Sequence, residues 1–251
     1  GPKGYSKKQL LMALIAMQVE QIPTIKALVH RLKSDPIFKR SLGFEYVSKT
    51  PSAATFTRFI KKLSETDILE RTYRRMIYKA NSIGLIDATN VAIDASKINA
   101  FEHAMPLKNI PKDDINFPNW GGKLDTNGNF IKWFGWKMHA LVDTASGITL
   151  SYMITPANVA DMDIAEPLIQ KLKKDYEELF KPSYYLMDAG YDKPELYQVL
   201  YEKYNAQGII PINWRNTQTP PEGINFEGQL VCAMNHPYVY GGNDNGTIRI
   251  L

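Results

Sequence analysis

Two stretches of the chain end an apolar run on a lone carboxylate: Val91-Ala92-Ile93-Asp94-Ala95-Ser96 and Tyr184-Tyr185-Leu186-Met187-Asp188-Ala189-Gly190. A run of four or five apolar residues without polar alternation fits a strand buried on both faces, which leaves the terminal Asp at the mouth of a sheet. Two such carboxylates on neighbouring strands offer hard oxygen ligands to Mg²⁺ or Mn²⁺. A metal site of that kind serves phosphoryl chemistry by stabilising attacking and leaving oxygens. Taken singly, each Asp also reads as an ordinary strand-end or turn residue. The order of the elements between and after them therefore has to decide.

The frame is that of a globular chain. With 251 residues, 44% of them hydrophobic, it suffices for one large domain or a medium and a small one. No apolar run approaches the ~18 residues of a membrane span, and no secretory h-region opens the sequence, so a cytoplasmic protein without membrane contact is expected. The single cysteine, Cys232, excludes an internal disulfide and a Cys-only zinc site. Gly1-Pro2 resembles a protease scar. The formal charge of +4 hides an asymmetry, because sixteen basic against six acidic residues up to Ile86 give +10 and leave −6 for the remainder. A basic segment joined to an acidic one suits a polyanion-binding part beside a part whose carboxylates collect cations, although a solvated helical surface gives the same count.

The elements that must position the carboxylates follow from periodicity. Ser6-Lys7-Lys8-Gln9 reads as a capping box before a first helix, and Ile25, Leu28, Val29 and Leu32 mark a second. Asp35-Pro36 and Thr50-Pro51 open a third and fourth, and Ser64 is read as opening a fifth that closes near Asn81. Residues 1–86 are thus expected to form an all-helical domain. Its Arg58, Lys61 and Lys62 lie off the apolar face of the Thr50 to Lys62 helix, and Arg71, Arg74 and Arg75 follow on the next. These six are the candidates for holding double-stranded DNA by its phosphates.

From residue 87 the period changes to that of strands. Asn90 to Ile98 is followed by a long polar loop, a hairpin around Asn127-Gly128 and a second hairpin from Lys137 to Ile154 around Thr144 to Gly147. A helix over Asp163 to Leu179 comes next, with Asp161 and Asp163 read as its caps before they are supplements to the metal site. Then come the strand Tyr184 to Met187, a helix capped by Asp192-Lys193-Pro194 and a strand over Gly208 to Ile212. Asp125 to Asn129 is taken as a turn, since it lacks the glycine position and bidentate Glu of a calcium loop. His139 is read as packing behind the site, and Trp120, Trp133 and Trp136 as anchors before they are platforms for unpaired bases. Three strands in meander order, then helix, strand, helix, strand, are the elements of the ribonuclease H-like fold, an α/β mixed sheet flanked by helices.

Here the sequence resembles the DDE transposases of bacterial insertion sequences. Pro51-Ser52-Ala53-Ala54-Thr55-Phe56-Thr57-Arg58-Phe59 is similar to the signature of their helical N-terminal domain. Ile93-Asp94-Ala95-Ser96-Lys97, Phe134-Gly135-Trp136-Lys137-Met138-His139, Thr155 to Asp161 and Met187-Asp188-Ala189-Gly190-Tyr191-Asp192 are similar to their core motifs, so the likeness runs from about Ser6 to Asn213. The resemblance implies that the first and fourth strands of the core pair in parallel and bring Asp94 beside Asp188. It implies Mg²⁺ or Mn²⁺ at those two residues, cleavage at the element's ends by water, and attack of the freed 3′-hydroxyl on target DNA. It leaves room for a homodimer in the active complex and for nucleoid association. The family's third carboxylate, a Glu on a later helix, has no counterpart, since Glu222 and Glu227 lie among Pro and Gly. Residues 227–251, with a turn at Gly241 to Gly246, read as the start of a β insertion. Residues 87–251 are therefore expected to be a catalytic domain cut short, and these 251 residues to be inactive. The other reading is a decayed or domesticated DNA-binding protein without catalysis.

Overall fold

The computed structural model describes residues 4–45, 48–101, 103–111, 114, 116–124, 127–176, 179–213, 220, 222–244 and 247–250. The chain divides into two compact units, Gly1–Met76 and Ile77–Leu251.

The first unit is helical: α1 (Lys7–Val19), α2 (Ile25–Ser34), α3 (Pro36–Ser41), α4 (Ala53–Ser64) and the first part of α5 (Ile68–Ser82). Gln9 accepts the Ser6 amide at 3.1 Å, as the capping box requires. Thr24 and Asp35 cap α2 and α3 through their side chains, with Pro36 at the first turn of α3. Leu10, Leu28, Leu32, Phe38, Phe56 and Phe59 are buried together in its core. Two expected starts are corrected. Ser52, not Thr50, caps α4, its Oγ accepting the Thr55 amide at 3.2 Å. Ser64 ends α4 instead of opening α5: its hydroxyl donates back to the Lys61 carbonyl, a local bond that competes with helix start-up.

The second unit is built on β1 (Asn90–Asn99), β2 (Asn119–Leu124), β3 (Phe130–Asp143), β4 (Thr149–Pro156), β5 (Tyr184–Met187) and β6 (Gln207–Ile209). Helices α6 (Ala165–Tyr176) and α7 (Pro194–Tyr204) complete the crossovers. The sheet runs β2-β3-β1-β5-β6 with β4 also on β3; β1 is antiparallel to β3 and parallel to β5, and β5 is parallel to β6. Four strands joined by antiparallel pairings, β1 to β4, followed by β5 and β6 added in parallel through helical crossovers make this a ribonuclease H-like mixed α/β sheet. The two expected hairpins share one 14-residue strand, β3, which serves β2 along its first half and β1 and β4 along its second. Gly135 (φ 158°) stands where the strand passes from β2 to β1: a Cβ would sit 2.1 Å from the Ile98 carbonyl oxygen, so no side chain fits.

One face of this sheet carries Val91, Ile93, Leu141, Tyr185 and Met187, all buried. Gly208 lies on it within van der Waals reach of Leu200 and Tyr197 of α7, and α6 packs beside α7 against β3 and β4. The opposite face carries Asp94 and keeps Leu186, Ile209 and Ile154 at 36, 51 and 55% exposure.

Four further boundaries differ from expectation. Asp161 to Asp163 is a 3-10 turn ahead of α6, not a cap. Lys193 is the N-cap of α7, because the Asp192 carboxylate accepts the Tyr197 hydroxyl at 3.1 Å and the Asn213 amide at 2.7 Å. The last strand of the sheet, β6, stops at Ile209. Gly241 to Asp244 lie within β7 (Tyr240–Asp244), paired with β8 (Thr247–Ile250), so the turn there is shorter than read; its Asn245 and Gly246, like Asp125 and Thr126, fall outside the described residues.

Candidate functional site

β1 and β5 pair in parallel with Ile93 opposite Met187, so Asp94 and Asp188 are the next residues of adjacent strands. Alternation places both on the face away from Ile93 and Met187, at the C-terminal ends of the parallel pair, where open α/β sheets hold their ligands. Both are exposed. Asp94 Oδ1 accepts the amide of Ala95 at 2.7 Å, and Asp188 Oδ1 that of Gly190 at 2.8 Å. Each thus keeps an oxygen for an outside ligand. Gly190 allows the second geometry, because a Cβ at 190 would stand 2.9 Å from Asp188 Oδ1.

Behind the pair lies a cluster that the sequence did not announce. Lys137 on β3 donates to Asp161 Oδ1 and to the Val159 carbonyl, both at 2.8 Å. His139, two residues on and wholly buried, meets Thr155 Oγ1 through Nε2 at 2.8 Å and places Nδ1 3.8 Å from Asp161 Oδ1. Burial lowers the histidine's pKa against the pull of Asp161, with Lys137 adding to the fall, so the ring is neutral at pH 7. His139 lies on the buried side of β3, opposite the face of Asp94, and is no partner for an ion held there. The Asp161 turn packs against the 3-10 turn Ala189–Tyr191 that follows Asp188. Tyr191, 1% exposed, has no hydrogen-bond partner for its hydroxyl among the described residues. Its pKa is raised by burial and then by Asp161, Asp94 and Asp188, whose fields therefore converge on one phenol. The sequence signal was slight: period-two alternation puts Lys137 and His139 on one side, but only the fold brings Asp161 to them.

Among the described residues, no group of three or more His, Cys, Asp or Glu side chains is placed to hold a metal ion. The donor set of Asp94 and Asp188 is all-oxygen and suits one hard divalent cation. The tryptophans anchor structure: Trp133 is buried with its indole donating to the Trp136 carbonyl at 3.3 Å, and Trp120 donates to the Met105 carbonyl at 2.7 Å. Arg58, Lys61 and Lys62 are exposed on α4 away from buried Phe56 and Phe59; on α5 Arg75 is exposed, Arg74 is half-buried, and Arg71 pairs with Asp67 at 3.2 Å. No helix among the described residues is long and apolar enough to cross a membrane.

Comparison with known proteins finds transposase domains. The family model described as "Transposase DDE domain" matches residues 79–225, and that described as "Transposase domain (DUF772)" matches residues 1–62. Among solved structures the chain is similar to the piggyBac transposase in a cryo-EM synaptic complex with hairpin DNA, at 16% identity and a TM-score of 0.41. The match covers 87% of this chain and 44% of that one, so the chain spans less than half of that transposase's length. Curated proteins gave no match.

Proposed function

Because the chain belongs to the transposase DDE-domain family, whose model matches more than half of it, we propose that Asp94 and Asp188 form the metal-binding core of a DNA strand-cleaving and strand-transferring site. The observation that carries this reading is the parallel register of Ile93 on Met187, which sets two exposed carboxylates side by side at one end of the sheet. Their oxygens would hold Mg²⁺ or Mn²⁺, which when bound supplies charge neutralisation for the phosphodiester and activation of the attacking oxygen. The residues of the chain prepare that place. The Ala95 and Gly190 amides fix one oxygen of each carboxylate, and Tyr191 with the Lys137–Asp161 pair keeps the turn after Asp188 packed. Arg58, Lys61, Lys62, Arg71, Arg74 and Arg75 hold duplex DNA at transposon ends and target by its phosphates, a sequence-independent attraction that weakens with salt. A homodimer in the active complex and a place at the nucleoid accord with such a partner.

Two carboxylates are a sparse set for a pair of ions, and the described residues add no third. These 251 residues should therefore bind one divalent ion weakly and cleave DNA little. Mn²⁺ titration followed by its paramagnetic resonance tests the assignment: Asp94→Asn and Asp188→Asn should each abolish binding that wild type shows. Undiminished binding in either variant would sink it.

A further inference from the structure

The two carboxylates of the pair are held by different means. Asp94 stands within β1, whose ladder to β3 runs on to Asn99. Asp188 stands one residue past the end of β5, as the N-cap of the 3-10 turn Ala189–Tyr191. A single turn of that kind has poor hydrogen-bond geometry and little stability of its own. Because Asp188 Oδ1 is bonded to the Gly190 amide inside the turn, the carboxylate goes where the turn goes. Its place relative to Asp94 is therefore set by whatever holds the turn.

One residue holds it at both ends. β6 runs parallel to β5 and carries the chain past the same end of the sheet, where Pro211, exposed and without an amide, adds nothing to the ladder. Two residues on, the side-chain amide of Asn213 donates to the Ala189 carbonyl at 2.8 Å, and its backbone amide donates to Asp192 Oδ2 at 2.7 Å. Ala189 opens the turn and Asp192 closes it as the C-cap. The second of these bonds goes to a carboxylate and is of the stronger, charge-assisted kind. The other oxygen of Asp192 accepts the Tyr197 hydroxyl at 3.1 Å, which ties the same bracket to α7.

We propose that Asn213 is a positioning residue for Asp188: by bracketing the turn Ala189–Tyr191 it fixes where that carboxylate stands beside Asp94, and so how well the pair holds a divalent ion. The step to ion affinity rests on the metal reading above, whereas the hold on the turn stands apart from it. Asn213→Leu keeps the size of the side chain and removes its donor, leaving the Ala189 carbonyl the Asp192 amide at 3.3 Å. Two measurements on the full chain test the assignment. Hydrogen exchange without metal should speed up at the Gly190 amide by about fivefold, the equivalent of one net hydrogen bond. It should stay unchanged at the Ala95 amide, which is bonded to Asp94. Mn²⁺ affinity, followed by paramagnetic resonance, should fall severalfold, less than the ~10-fold or more that follows loss of a direct partner of a metal ligand. Leu172→Val, a core change buried in α6, should lower the unfolding midpoint and leave both readings at their wild-type values. Unchanged Gly190 exchange in Asn213→Leu overturns the proposal, and so does an equal rise at Ala95, which would mark a general loosening. Faster Gly190 exchange with undiminished Mn²⁺ binding overturns it too, since Asn213 would then serve structure only. If wild type binds no Mn²⁺, the metal reading falls and takes the affinity step with it, while the exchange rates still decide whether Asn213 holds the turn.

Discussion

Asp143 and Asp188 both close off a strand of the same sheet, at opposite ends of it, and their surroundings have little in common. Asp143, the last residue of β3, is fully buried and takes the Ala88 amide at 3.1 Å, the Ser146 amide at 3.0 Å and the Ser146 hydroxyl at 2.5 Å. Asp188 is exposed and takes one amide, with Asp94 on the next strand in the same condition. A carboxylate whose lone pairs are occupied by its own turn holds that turn together. A carboxylate left half-satisfied at the mouth of a parallel pair is available to something outside the chain. Residue type alone does not separate the two; the number of donors already engaged does.

The contrast is sharpest in stability. Replacing Asp143 by Ala strands the buried Ala88 amide, leaves a void and frees the Ser146 turn, and should cost about 3 kcal/mol in urea unfolding, whereas Asp94→Ala should stay within about 0.5 kcal/mol. Equal losses would erase the distinction between the two ends. The Asp143 contribution also has a pH signature. Burial pushes its carboxyl up, but the Ser146 hydroxyl and the amides of Ala88, Ser146 and Ala145 outweigh it and hold the pKa below the ordinary value. With the folded pKa below the unfolded one, the stabilisation is complete above the ordinary carboxylate range near ~4 and is lost as pH falls through the folded value. The gap between wild type and Asp143→Ala should narrow on acidification; a constant gap would show that ionisation is not what stabilises the turn.

A smaller effect tests the open end. Gly190→Ala places a methyl against the Asp188 carboxylate that now folds back on the Gly190 amide. The side chain must turn away, and Mn²⁺ affinity should fall by about tenfold, the lower bound for disturbing a group that orients a metal ligand. Because Gly190 is exposed, the unfolding midpoint should barely move. A fall in stability without loss of Mn²⁺ would mean the glycine serves packing only.

How much of this was readable beforehand follows from how local each signal is. The apolar runs of β1 and β5 with their terminal Asp are contiguous in sequence, and so are the caps at Ser6 and Asp35; both kinds of feature could be read without a fold. Ser64 was misread because the same serine that caps a helix can also close one by bonding back to Lys61. β3 was read as the arms of two separate hairpins because each turn signal marks only its own pair of strands, and one strand serving both shows only in the fold. The engagement of Asp161 with Lys137 joins residues more than twenty positions apart, which no periodicity announces.

The smallest expected effect has the opposite sign to the rest. Asp94 and Asp188 stand on neighbouring strands, ~4.8 Å apart at the backbone, and with nothing bound their charges repel. At a side-chain separation of ~7 Å in water-like surroundings the repulsion is about 0.6 kcal/mol, and physiological salt screens part of it. Asp94→Asn should therefore stabilise the metal-free protein by about 0.3 kcal/mol, and the gain should shrink as salt is added. Mn²⁺ reverses the order, because an ion that binds only the folded wild type stabilises it by mass action while leaving the variant unchanged. The two unfolding curves should thus cross on titration with Mn²⁺. If Asp94→Asn is destabilising without metal, the carboxylate is held by the fold as Asp143 is, and the two ends of the sheet do not differ in the way argued.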